Sequence, residues 1–237
     1  MNRRRGQVAI LMYHRVLSDQ ESAAGVLPGM YVRASTFARQ VAWVKERWPI
    51  RTLGEVIAHP PDLDASPAVV LTFDDGWRDN LVHAWPVLRD HGVRATIFLV
   101  KEWVAAGSNS HGEFLGPKDV KMLATEGMEF GAHTATHAKL DRVDLGSAEV
   151  EMRSSKAAVE DWSGRPCELF AYPLGLHNLE AATLAGSIFR ASVMAGGGWW
   201  SPGSDPALTP RINVHQNMSS TTSMFAATLA LAERKPK

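Results

Sequence analysis

Short runs of apolar, mostly β-branched or aromatic residues recur along this chain at residues 8–13, 68–73, 95–100, 129–132, 169–172, 190–194 and 211–214, and their regular spacing constrains the fold more than any other feature. Each run is the length of a buried strand and too short for a helix that buries itself on all sides. The intervening segments carry helical spacing instead. Residues 36–48 follow Ser35 as a predicted N-cap and set Phe37, Val41 and Val44 on one face. Residues 148–162 place Glu149 four positions before Arg153, with Gly164 as the stop. Further helices are predicted over 79–89, 118–126 and 222–234. Strands alternating with helices give a parallel sheet, and about seven repeats within 237 residues favour a closed or nearly closed (β/α) barrel over an open doubly wound sheet. No repeat or linker divides the chain, so residues 1–237 are expected to form a single catalytic domain. The stretches HPPDLDASP (59–67) and MAGGGWWSPGSDP (194–206) read as loops within it.

Charge narrows the partners. The 25 basic residues balance 25 acidic ones, so no global field favours nucleic acid, and Arg3, Arg4 and Arg5 form the one local basic patch suited to peripheral membrane contact. Cys167 is the sole cysteine, which excludes an intramolecular disulfide and a cysteine-based zinc site and suits a reducing compartment. The apolar run at 8–13 meets His14 and Arg15 at once and is shorter than a signal core, so the expected location is cytoplasmic, and no stretch is long enough to span a bilayer.

In βα barrels the working groups stand where strands end. Here His14 follows the first run, Asp74 and Asp75 the second, His133 the fourth with His137 four on, and Pro173-Leu174-Gly175 the fifth. Two adjacent carboxylates repel, so the pair asks for a division of labour. A helical turn would set His133 and His137 on one side, and Asp75 would complete a metal site that leaves positions open for water and substrate. Asp74, close to the cation without being spent on it, is then the base. Trp77, Trp199 and Trp200 are candidate sugar-stacking residues, with the Gly196–Gly198 run letting the last two move as a lid.

With these residues assembled, the chain resembles the polysaccharide deacetylase family, also called the NodB-homology family or carbohydrate esterase family four. The resemblance rests on TFDDG at 72–76, HTATH at 133–137 and FAYPLG at 170–175, supported by MYHRV at 12–16, and runs from about residue 8 to 215. It implies a distorted (β/α) barrel that hydrolyses N-acetyl, sometimes O-acetyl, groups on sugars with one divalent metal. Zinc is the expected ion, with cobalt or nickel as alternatives. Carried across, Asp74 matches the base, Asp75, His133 and His137 the ligands, and the Leu174 N–H the oxyanion donor. The resemblance also implies that the first strand supplies the acid, His14, with His215 in reserve. The arginine that steadies the base in the family's third motif falls at Ala171 here, and Arg211, on another strand, is the candidate replacement. The expected substrate is an N-acetylated sugar, oligosaccharide or lipid-linked glycan. The rival readings are a metal amidohydrolase or deformylase acting on a non-sugar C–N bond, a non-haem iron oxygenase with the same ligand types, and a non-catalytic carbohydrate-binding relative.

Overall fold

Strand Val8–Tyr13 (β1) is fully buried along all six residues, as is Ala68–Phe73 (β5), and the two pair in parallel over their whole length, Val8 opposite Ala68 and Tyr13 opposite Phe73. Burial on both faces is what a continuous apolar run requires, and it is met by placing these strands at the centre of a sheet covered by helices. The computed structural model describes residues 4–107 and 113–232; Arg3 of the basic patch and Arg234 of the last predicted helix lie outside them.

Between β1 and β5 come Arg15–Leu17 (β2), Tyr31–Arg33 (β3) and Ile50–Arg51 (β4), with helices Ala34–Lys45 (α1) and Leu53–Ala58 (α2). After β5 the chain continues through Trp85–Asp90 (α3), Thr96–Leu99 (β6), Lys101–Gly107 (α4), Pro117–Thr125 (α5), Glu129–Ala132 (β7) and Leu145–Ser163 (α6). It ends with Leu169–Ala171 (β8), Leu179–Ile188 (α7), Ala191–Val193 (β9), Ile212–Asn213 (β10), Gln216–Ser219 (α8) and Thr222–Leu231 (α9). The main sheet runs β10-β1-β5-β6-β7-β8-β9 with every pairing parallel, and β4 takes the N-terminal half of the β5 edge whose C-terminal half pairs with β6. The two ends of the sheet meet through one segment: Thr209 pairs with Val193 of β9, and Ile212 pairs with Leu11 of β1. The expected distorted (β/α) barrel is the fold found.

Alternation along the strands separates two cores. Val8, Ile10, Val70, Phe98, Leu169 and Val193 fill the barrel, whereas Ala9, Leu11, Leu71 and Ile97 face the helices. The same alternation carries Thr72 and Asp74 to the side of Val70, into the barrel mouth.

Three local expectations are corrected. Ser35 lies inside α1, because β3 runs directly into the helix with Arg33 at the N-cap, and the Ser35 hydroxyl donates instead to Asp19 at 2.8 Å. The segment after Asp79 begins as a π-helical turn, Asn80–Ala84, before α3. Trp199 and Trp200 form no lid. Both are buried; the Trp199 indole donates to the Leu229 carbonyl, and the Trp200 backbone pairs with Val8 at the start of β1, the rim opposite the strand ends. Two indoles that size gain more from burial than from exposure; Trp200 closes the floor of the barrel, and Trp199 packs on the helix side against Trp48. Arg4, in the basic run, donates from its guanidinium to the Ala230 and Ala232 carbonyls at the end of α9 and sits over the Trp199 ring, while Arg5 is exposed.

Candidate active site

The stretch after β5 turns sharply. Asp75 and Gly76 both adopt left-handed backbone, φ 76° and 78°, and a Cβ on Gly76 would meet Leu99 Cδ2 at 2.9 Å, so glycine is favoured there. This turn breaks the strand alternation and sends the two carboxylates in different directions. Asp74 continues into the barrel, and Asp75 faces the end of β7.

Asp74 meets Arg211. The guanidinium grips it with both nitrogens, Nη1 to Oδ1 at 2.6 Å and Nη2 to Oδ2 at 2.7 Å, while Nη1 also donates to Thr72 and Nε to the Met194 carbonyl. Both partners are buried, Arg211 fully. Burial pushes the Asp74 carboxyl up, but the Arg211 charge and hydrogen bonds outweigh it and hold the group below the usual carboxylate range. Arg211 reaches Asp74 from the segment that closes the barrel.

Asp75 meets the histidines. Its Oδ1 lies 3.5 Å from His133 Nε2 and 3.6 Å from His137 Nε2, buried and without a hydrogen-bond partner among the described residues, while Oδ2 accepts from the Trp77 indole at 3.0 Å. His133 Nδ1 stands 2.7 Å from the Ala171 carbonyl; a carbonyl only accepts, so Nδ1 carries the proton and the Nε2 lone pair turns toward Asp75. One ligand atom from each of Asp75, His133 and His137 falls within 4.8 Å of the others. A buried oxygen left without a donor beside two imidazole nitrogens fits a divalent cation. Burial pushes Asp75 up, but His133 beside it wins and holds it well below the usual range; the same pairing raises His133 against burial. Burial and the His133 charge together lower His137 to about 4.

The loop joining these histidines is not the helical turn the i,i+4 spacing predicts. Residues 133–137 are irregular, with Thr134 and His137 at φ 64° and 62°, and the rings meet edge to face at 4.9 Å. A helix would have continued away from the rim; the left-handed residues fold the loop back so that both rings reach Asp75.

Trp77 takes a supporting place. Its ring packs on Phe114 and under the Arg15 guanidinium, which is itself paired with Asp79 at 2.7 Å, and Trp103 continues the aromatic row to stack on His137. His14, half-buried after β1, accepts from Asn80 Nδ2 at 2.8 Å through its backbone carbonyl. His215 follows β10 as His14 follows β1; it is half-buried, and its Nδ1 has no hydrogen-bond partner among the described residues. Leu174 turns at φ 57° on the same rim with its side chain exposed. Sequence reasoning missed Thr72, Asp79, Asn80, Trp103 and Phe114. Asp79 and Asn80 stood within the DDGWRDN stretch, but nothing local marks them as the residues that fasten the Asp-Asp turn to His14 and Val16.

A parallel βα barrel with polar groups gathered at the carboxyl ends of β1, β5, β7 and β8 defines the class, and comparison with known proteins defines the family. Residues 64–188 match the polysaccharide deacetylase family model, and the chain belongs to that family. The Bacillus subtilis (strain 168) protein YxkH, whose name places it among polysaccharide deacetylases, is 26% identical over 182 residues; the match covers 76% of this chain and only 61% of that relative's length. The structure of the Streptococcus pyogenes deacetylase PplD in complex with acetate superposes with a TM-score of 0.81 at 25% identity, covering 94% of this chain and 98% of that one. A de-N-acetylase from Aggregatibacter actinomycetemcomitans shares the fold, with a TM-score of 0.79 at 16% identity over 94% of this chain and all of that one (100%).

Proposed function

We propose that this protein removes N-acetyl groups from an amino-sugar-containing glycan or glycan precursor by metal-dependent hydrolysis. The observation that carries the reading is the orphaned Asp75 Oδ1 between two imidazole nitrogens, with a second carboxylate, Asp74, next to it and fastened elsewhere. Asp75, His133 and His137 would hold the cation. Bound there, a divalent ion such as zinc, cobalt or nickel supplies an acidified water and polarises the acetyl carbonyl. Asp74, kept ionised by Arg211, takes the proton of the attacking water. The Leu174 N–H at the turn donates to the developing oxyanion, a role that asks nothing of the leucine side chain. His14, on the first strand, protonates the departing amine.

The test is acetate release from N-acetylated monosaccharides, oligosaccharides and lipid-linked sugars, before and after chelator stripping and reloading with zinc, cobalt or nickel. Activity lost on stripping and restored by reloading is the expected result. A protein that binds metal yet frees no acetate from any sugar defeats the reading and directs the search to formyl and non-sugar amide substrates. No helix among the described residues is long and apolar enough to cross a membrane.

The acid is tested separately. His14→Ala is expected to lower kcat about 100-fold or more in a folded, metal-loaded protein, whereas His215→Ala stays close to wild type. The opposite ranking assigns the acid to His215.

A further inference from the structure

Resting on the reading that Asp75, His133 and His137 hold a divalent cation, we propose that Glu151 is a positioning residue that holds the 133–137 loop in its ligating shape. That loop carries two residues other than glycine in left-handed backbone, one of them the β-branched Thr134. Such backbone is strained for a residue with a Cβ, so the conformation persists only where its surroundings impose it.

Glu151 reaches the loop from α6. Its Oε2 accepts the Ala135 N–H at 2.8 Å and the Thr136 N–H at 2.9 Å, and Oε1 accepts the Thr136 hydroxyl at 2.8 Å. Two consecutive N–H groups converging on one carboxylate oxygen form an anion-binding concavity of backbone, and here the anion is built into the chain. The other restraints are neutral: Lys101 and Glu102 N–H donate to the Thr134 and Ala135 carbonyls at 3.2 and 2.9 Å, and Ala138 N–H donates to the Thr134 hydroxyl at 3.2 Å. The helix that carries the carboxylate is itself held in place, because Ala148, Met152, Ser155 and Val159 form a buried stripe of α6 beside Glu151.

Every Glu151 contact falls on Ala135 and Thr136, which donate nothing to the cation but set the separation of the two histidines that do. Released, the loop relaxes toward ordinary backbone angles, and His137, the ligand that closes it, leaves the Asp75 oxygen it faces at 3.6 Å. A residue serving the fold alone would alter thermal stability without altering metal affinity.

The experiment uses the full chain, stripped of metal, with zinc affinity measured by competition against a chromophoric chelator. Compared with wild type are Glu151→Ala, Glu151→Gln, and Glu149→Ala, whose side chain makes an exposed pair with Arg153 on the same helix. Glu151→Ala is expected to bind zinc about 10–100-fold more weakly, the range found when groups behind metal ligands are removed. Glu151→Gln, which keeps one acceptor oxygen, should fall between it and wild type, and Glu149→Ala should match wild type. Faster amide hydrogen exchange at Ala135 and Thr136 should accompany the loss. Wild-type zinc affinity in both Glu151 variants overturns the proposal while leaving the metal site standing. If Glu151→Ala does not fold, Glu151→Gln alone decides in the same way. A wild-type protein that binds neither zinc, cobalt nor nickel overturns the metal reading itself.

Discussion

Replacing Arg211 with Met is expected to destabilise the protein by about 3–5 kcal/mol, because it leaves the Asp74 carboxylate buried without its counter-charge. For a domain of this size that is a fall in Tm of roughly 6–20 °C. The pair is bidentate at 2.6 and 2.7 Å, and both side chains are buried. Arg211→Lys should recover only part of the loss, since an ammonium cannot reproduce the planar fork that also serves Thr72 and Met194. Urea unfolding of the purified variants measures this directly. The double variant Asp74→Asn/Arg211→Met should be more stable than the sum of the singles, because it removes the second charge along with the first. Strict additivity, or a loss below about 1 kcal/mol for Arg211→Met, would show that the pair behaves as a solvated one.

Asp74→Asn and Asp75→Asn should separate cleanly although the residues are neighbours. Asp74→Asn is expected to lower kcat by about 10²–10⁴-fold, the usual contribution of a general base, while zinc still binds one per chain. Asp75→Asn is expected to lose the zinc, since the amide is a neutral and weaker donor at the position where Oδ1 now faces both imidazoles at 3.5 and 3.6 Å. Metal content by atomic emission beside single-turnover rates reads both quantities on the same samples. Loss of zinc from Asp74→Asn to the same degree as from Asp75→Asn would remove the division of labour between them. The geometry argues for the split: the left-handed turn at Asp75 points one carboxylate at Arg211 and the other at the histidines.

Much of this site was legible in the sequence, and the legible part is the part that chemistry writes locally. The Asp-Asp pair, the two histidines and the strand ends that carry them are separated by a few residues each, and like-charge repulsion or ligand spacing can be read at that range. The shape of the 133–137 loop was not legible, because i,i+4 spacing fits a helix and a folded-back turn equally until the partners of Thr134 and Ala135 at α4 are known. The tryptophan pair misled for a related reason. Neighbouring glycines suggested motion, but whether an indole is covered depends on what lies across from it, here Trp48 beside Trp199 and the barrel interior around Trp200.

By itself the sequence determined the alternation of buried strands and amphipathic helices, hence the parallel barrel, and it determined which strand ends carry polar groups, because periodicity and residue type are properties of short segments. Only the tertiary structure decided the pairings. Arg211 lies 137 positions from Asp74, and they meet because β10 lies beside β1 and β1 beside β5, while alternation turns Asp74 inward. No short-range pattern encodes a strand order. It follows from which edges the closing sheet must join to bury its apolar faces, and that is settled by the whole chain at once.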